Sequence, residues 1–222
     1  MFGKRLINTQ QGGGCTTDTL QILGDTSCVA TYRLNGDATD LSGNYNGTAT
    51  SVTYVAGQFG DAGSFNGSSS ILETGYSVNF SNTAWTISFW MKSNIADNRY
   101  VLGTGNANGV AISARGVAST TGYGTKAMYL INGGNTQIGY TIGEWKHFVY
   151  TFSGSGTSKG YGNGVLEDTK SSIVLNTGDP IILGKYGLAN CCYFDGAIDQ
   201  LRIFNKEVNS TEVTTLYNEV AC

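Results

Sequence analysis

With 222 residues and 40% hydrophobic content, the chain is long enough for one domain that buries about 70% of the surface its unfolded form exposes. Only 13% of residues are charged, the net charge is -3 and histidine occurs once, which excludes a broad basic face for nucleic acid and a histidine-rich metal site. Glycine occurs 32 times and proline once, a composition of short strands joined by tight glycine turns.

The chain opens with MFGKRLINTQQGGGCTTD, which is basic but has no apolar run. This predicts no secretory signal, and so synthesis in a cytoplasm. No stretch approaches the ~18 apolar residues of a membrane-spanning helix. Residues 1–27 are predicted to be an extended arm, and residues 28–222 the domain it precedes. Phe2, Leu6 and Ile7 beside Lys4 and Arg5 give the arm an apolar and basic character suited to docking on another subunit, in a homo-oligomer or a large assembly.

Apolar runs of strand length follow between glycine-rich breaks: CVATYRL, SVTYV, WTISFWMK, RYVLG, GVAIS, AMYLI, WKHFVYTF and IILG. In WTISFWMK, Trp85, Ile87, Phe89 and Met91 alternate with Thr86, Ser88 and Trp90. In WKHFVYTF, Trp145, His147, Val149 and Thr151 share one face, and Lys146, Phe148, Tyr150 and Phe152 the other. Period-two strands with a strongly apolar face predict an all-β sandwich of two antiparallel sheets. Trp85, Phe89, Trp145 and Phe204 are expected between those sheets. Asn163-Gly164 offers the positive backbone dihedrals of a two-residue hairpin turn. The segment NSTEVTTLYNEV spaces Val213, Leu216, Tyr217 and Val220 for one short C-terminal helix. Asn209 and Glu212 form a capping pair for it, and the helix is expected across an end or edge of the sandwich.

Five cysteines (Cys15, Cys28, Cys191, Cys192 and Cys222) contain no CxxC spacing. They read as reduced thiols, or as one or two disulfides formed after release from a cell. Four N-x-S/T sequons, at Asn46, Asn66, Asn79 and Asn209, read as loop and cap residues. Tyrosines in glycine-rich stretches beside Asn and Asp resemble sugar platforms, and Tyr123, Tyr161 and Tyr186 are the candidate glycan contacts.

The closing strand FDGAIDQLRIFN carries Asp195 and Asp199. Carboxylates in a buried strand need partners. Four apart on a strand, these two share a face at about 13 Å, too far for a glycosidase pair. Glu167 and Asp168, being adjacent, are expected to point oppositely. The favoured reading is structural: Asp195 and Gly196 make a bend, Asp199 locks a loop to the strand, and Asp40 makes an Asx-type turn in TDLSGN.

Several blocks carry a resemblance. ATYRLNGDATDLSGNYNGTATSVTYVAGQFGDAGSFNGSSS, WTISFWMK, GEWKHFVYTFSG and YFDGAIDQLRIFNKEVNSTEV resemble, in order, blocks of laminin-G-like, concanavalin A-like jelly rolls. The likeness runs over roughly residues 29–220. It implies an antiparallel two-sheet jelly roll. Relatives that are glucanases carry alternating Glu, Asp and Glu on one strand, which has no counterpart here, so the resemblance implies a non-enzymatic protein. The family often binds calcium, and Asp37, Asp40 and Asp199 match its acidic positions as candidate calcium ligands. LNGDATDLSGNYNGTA is also similar to laminin-G-like proteins of marine bacteriophage particles. With the arm, that likeness implies a virion surface protein, decorating the capsid or attached to the tail, whose partners are other virion proteins. The alternative is a stand-alone lectin module that mediates adhesion through a cell-surface glycan.

Overall fold

The computed structural model describes residues 20–77, 83–95, 98–104, 111–115, 127–131, 135–173, 180–187 and 189–219. In chain order its strands begin with β1 Cys28–Tyr32, β2 Thr48–Thr50, β3 Thr53–Ala56, β4 Asp61–Asn66 and β5 Ile71–Ser77. Next come β6 Ala84–Ser93, β7 Arg99–Thr104, β8 Ala111–Arg115, β9 Ala127–Ile131 and β10 Thr136–Gly139. The last are β11 Lys146–Ser153, β12 Ser158–Gly162, β13 Val165–Lys170, β14 Pro180–Leu183 and β15 Asp195–Phe204, before helix α1 Ser210–Tyr217.

Among these residues the strands form two antiparallel sheets. One is ordered β13-β12-β11-β6-β15-β4-β3, with β1 also paired to β15. The other is ordered β10-β9-β8-β7-β14-β5-β2. β4 pairs with the start of β15 and β1 with its end, so the two lie along one side of the closing strand. The expected sandwich and its single short helix are therefore present.

The core follows the parity of β6 and β11. Phe148 lies opposite Phe89, and Phe152 opposite Trp85. Their rings stack at 5.5 Å and 6.0 Å between centroids. With Ile87, Met91, Tyr150, Leu102, Ile181 and Leu183 they fill the space between the sheets.

The opposite faces of β6 and β11 are also buried, which alternation alone did not predict. Val149, Tyr161, Phe204 and Cys28 form a second cluster with Val208, Val213 and Leu216. Helix α1 thus lies on the outer face of the first sheet, not at an end or edge, and Phe204 is buried beneath it, not between the sheets. Leu20, Ile22 and Leu23, from the segment read as arm, pack partly buried against the same cluster. The ladder is anchored there too: Asn205 N donates to Ser27 O at 3.0 Å. Capping is as the sequence indicates. Asn209 Oδ1 accepts from Thr211 N and Glu212 N, and Glu212 Oε2 accepts from Asn209 N.

β15 reaches both layers through one extra residue. Asp199 lies opposite Trp90 and Arg202 opposite Ser88, with a register shift between them. Gln200, at φ 52°, is the inserted residue. The bulge keeps Asp199, Arg202 and Phe204 on the outer face although their spacing mixes odd and even positions. The expected bend at Asp195 and Gly196 is not there; both are paired residues of β15, and the irregularity falls at Gln200.

Candidate functional site

Of the acids singled out by sequence, Asp199, Asp40 and Asp37 serve the backbone. Asp199 is fully buried, and its Oδ2 accepts from Gln58 N at 2.9 Å and Phe59 N at 2.8 Å. It ties the β3–β4 connection to the closing strand. A Cβ on Gly57 would lie 2.7 Å from that oxygen, so only glycine lets the loop approach. Burial pushes the Asp199 carboxyl up to about 7, against the pull of the Phe59 and Gln58 amides. Asp40, also buried, accepts from Thr31 N at 2.8 Å, Tyr45 N at 3.1 Å and Ser42 N at 3.2 Å, making the Asx turn. Asp37 is exposed and accepts from Thr39 N. Among the described residues no three His, Cys, Asp or Glu side chains are grouped to hold a metal, so Asp37, Asp40 and Asp199 are not gathered into one site. Asp195 accepts from Asn94 Nδ2 at 2.7 Å.

Glu167 and Asp168 differ from expectation. Asp168 Oδ2 accepts from Gln137 N and Glu167 Oε2 from Gly139 N, so both reach β10 of the opposite sheet. The cause is a register shift between Gly160 and Tyr161 in the β12–β13 pair, which turns adjacent side chains the same way. They satisfy an edge strand that would otherwise present bare amides.

His147 is structural. Its Nε2 is 2.8 Å from Ser88 Oγ, and its ring lies 5.1 Å from that of Trp90. Burial, with the Arg202 cation nearby, pushes its pKa down to about 3, so it is neutral at ordinary pH. Arg202 itself pairs with Glu219 under the C-terminal end of α1, both side chains being fully buried.

Trp145, like Phe204, is not between the sheets, where the sequence placed it. It is half-buried at the surface, one residue before β11 begins. It lines a cleft of about 310 Å³ with Gly139, Tyr140, Thr141, Glu144, Lys146 and Asn163. The β10–β11 turn shapes one wall: Gly143, at φ 77°, donates its N–H to Ser93 O at 2.8 Å. The β12–β13 hairpin shapes the other, with Asn163 and Gly164 at φ 50° and 83° as their types indicate. Asn163 Oδ1 accepts from His147 N, which fixes its side chain. Lys146 Nζ is held by Gly139 O and Glu167 Oε1, both at 2.6 Å. Lys92 Nζ sits 5.6 Å from the Trp145 ring centroid. Glu144 and Thr141 are exposed at the rim. Burial pushes the Tyr140 phenol up to about 12, so it stays protonated. The cleft thus offers an aromatic face edged by a carboxylate, an amide, two ammonium groups and the Thr141 hydroxyl. The signal for it was present: Trp145 shares the parity of His147 and Val149, the outer face.

A second hollow of about 460 Å³ is lined by Lys159, Tyr161, Leu166, Glu207, Val208, Asn209 and Ser210. Its polar groups are spent on one another, through the Lys159–Glu207 pair and the Asn209 cap. Tyr161 is buried there at 5% exposure. Tyr186 is half-buried against Tyr100 at 4.4 Å, beyond β14 of the other sheet. The two tyrosines therefore do not share a platform. Tyr123, and the arm residues Phe2, Lys4, Arg5, Leu6 and Ile7, lie outside the described residues.

Residues 66–214 match the family model Laminin_G_3, described as the concanavalin A-like lectin/glucanases superfamily. The chain belongs to this family. Its concanavalin A-like jelly roll is similar to domain 4 of AbnA, an extracellular arabinanase of Geobacillus stearothermophilus solved with arabinotriose. Identity is 23% and the TM-score 0.69, over 86% of this chain and 98% of that one. The binding domain of Paraclostridial Mosquitocidal Protein 1 is 22% identical at a TM-score of 0.64, over 85% of this chain and 51% of that one. The binding domain of botulinum neurotoxin serotype G is 17% identical at 0.63, over 86% and 50%. The Laminin_G_3 chain spans about half the length of these toxin domains. Among curated proteins, no sequence matches it.

Proposed function

We propose that this concanavalin A-like domain is a non-catalytic carbohydrate-binding module whose sugar contact is the Trp145 cleft. The observation that carries the reading is a half-exposed tryptophan set among polar groups. The apolar face of an indole accepts the C–H face of a sugar ring, while hydroxyls reach Glu144, Thr141 and Asn163 at the edge. Two similarities support it: an arabinanase domain solved with arabinotriose and toxin binding domains share the fold. The non-catalytic part is supported by the carboxylates, since Asp199, Glu167 and Asp168 are engaged by backbone amides. A screen of the full chain over immobilised oligosaccharides, arabinose-containing ones included, is expected to retain one sugar class. Retention of none would end the lectin reading.

The larger setting we propose is the surface of a bacteriophage particle, on capsid or tail, with residues 1–14 as the anchor. Support comes from the sequence: the apolar and basic mix of Phe2, Lys4, Arg5, Leu6 and Ile7, and the phage-like opening block. The domain has its own core, so deleting residues 1–14 is expected to leave the melting temperature unchanged and to abolish attachment to particles that lack the protein. Full occupancy by the shortened chain would remove the anchor from this account. Attachment is also expected to weaken as salt screens Lys4 and Arg5.

A further inference from the structure

Cys191 and Cys192 lie in the connection from β14 to β15, and that connection is fixed on β7. Its base is closed by Phe194 N donating to Gly184 O, and by Gly184 N donating to Val101 O, each at 2.9 Å. Tyr100 N donates to Cys192 O at 3.0 Å, and Tyr100 and Tyr193 form a bridge. A Cβ on Gly103 would lie 2.6 Å from Gly187 N, so the connection crosses β7 in direct backbone contact.

On this fixed backbone the two sulfurs are 2.8 Å apart. Cys191 is exposed and Cys192 half-buried. Cys192 holds φ at 59°, in the left-handed region that non-glycine residues rarely occupy. Adjacent side chains on an extended chain diverge, whereas a left-handed second residue turns both toward one side. Backbone strain of this kind gathers at functional sites.

We propose that Cys191 and Cys192 form a reversible dithiol–disulfide site that exchanges with small-molecule disulfides such as oxidised glutathione. One protein thiolate attacks a glutathione sulfur, breaking its S–S bond and releasing one glutathione. The neighbouring thiolate then attacks the protein-bound sulfur, forming the Cys191–Cys192 bond and releasing the second glutathione. The protein loses two electrons and two protons, and the oxidised glutathione gains them. The Cα atoms of adjacent residues are about 3.8 Å apart across a trans peptide, below the roughly 4.4–6.8 Å that disulfides prefer. The eight-membered ring is therefore readily reduced, which suits a switch better than a staple.

The test treats the full chain with oxidised glutathione, blocks remaining thiols with iodoacetamide and digests with trypsin. Residues 186–202 are released as one peptide that holds both cysteines and no others. Expected is a peptide two hydrogens lighter than the dithiol and carrying no alkyl group. Dithiothreitol should restore two alkylation sites. In Cys191→Ser the remaining Cys192 should instead carry glutathione, which would show that the second thiol resolves the first. Double alkylation of the wild-type peptide, or stable glutathione on either of its sulfurs, overturns the proposal.

Discussion

Replacing Phe148 with alanine lowers the unfolding free energy by about 3–5 kcal/mol. Phe148 is fully buried in β11, stacked on Phe89 across the β6 pair. Both strands carry a second layer on their other face, built from Val149, Phe204, Val213 and Leu216. Neither strand can slide or tilt to fill the void without disturbing that layer, so the cavity stays open. Against a total stability of about 5–15 kcal/mol the loss is large. A urea titration reads it as a fall in midpoint at unchanged slope. A change below about 1 kcal/mol would mean that Phe148 does not face the core.

The wild-type chain is expected to lose stability relative to Asp199→Asn as pH rises from about 4 to 8. Asp199 titrates near 3.8 when unfolded and about 7 when folded. A raised folded value means that the native state binds the proton more tightly. Its contribution is therefore complete below the unfolded value and is lost as pH climbs through about 7. At about 1.36 kcal/mol per pKa unit the swing reaches roughly 4 kcal/mol at most. His147 acts with the opposite sign: lowered from 6.5 to about 3, it stabilises above 6.5, and that contribution is lost as pH falls. Glu219, raised by burial beside Arg202, adds to the Asp199 direction. The opposing slopes flatten the wild-type profile near pH 5, and the difference between wild type and Asp199→Asn isolates the aspartate. The asparagine oxygen still accepts the Gln58 and Phe59 amides, so the comparison does not release the loop. A difference that does not vary with pH would show that Asp199 is ionised throughout.

Much of this was legible in the sequence. Alternation in WTISFWMK gave the inner face of that strand, and in WKHFVYTF it separated the two faces without telling which is inner, because period-two patterns survive wherever a ladder is regular. The Asn209–Glu212 capping box, the Asn163-Gly164 turn and the Asp40 Asx turn are local chemistry and appear where local rules put them. Asp199 as a loop lock followed from the need of a buried carboxylate for donors.

What failed did so at bulges and at the second layer. One extra residue in β13, between the partners of Gly160 and Tyr161, sends Glu167 and Asp168 the same way, and another at Gln200 moves the irregularity away from Asp195 and Gly196. A bulge leaves no strong mark on composition. The outer layer misled differently: Trp90, which alternation groups with Thr86 and Ser88, stacks on Tyr217 of α1. Trp145 was expected between the sheets, although it shares the parity of His147 and Val149 on the outer face.

That position is what the central claim rests on. Titrating the full chain with the sugar class retained in the screen should give a measurable affinity, and Trp145→Ala should weaken it at least tenfold, about 1.4 kcal/mol. The same variant should keep its unfolding free energy to within about 1 kcal/mol, since Trp145 is only half-buried. Wild-type affinity in a folded Trp145→Ala protein would contradict the account and place any sugar contact elsewhere on the sandwich.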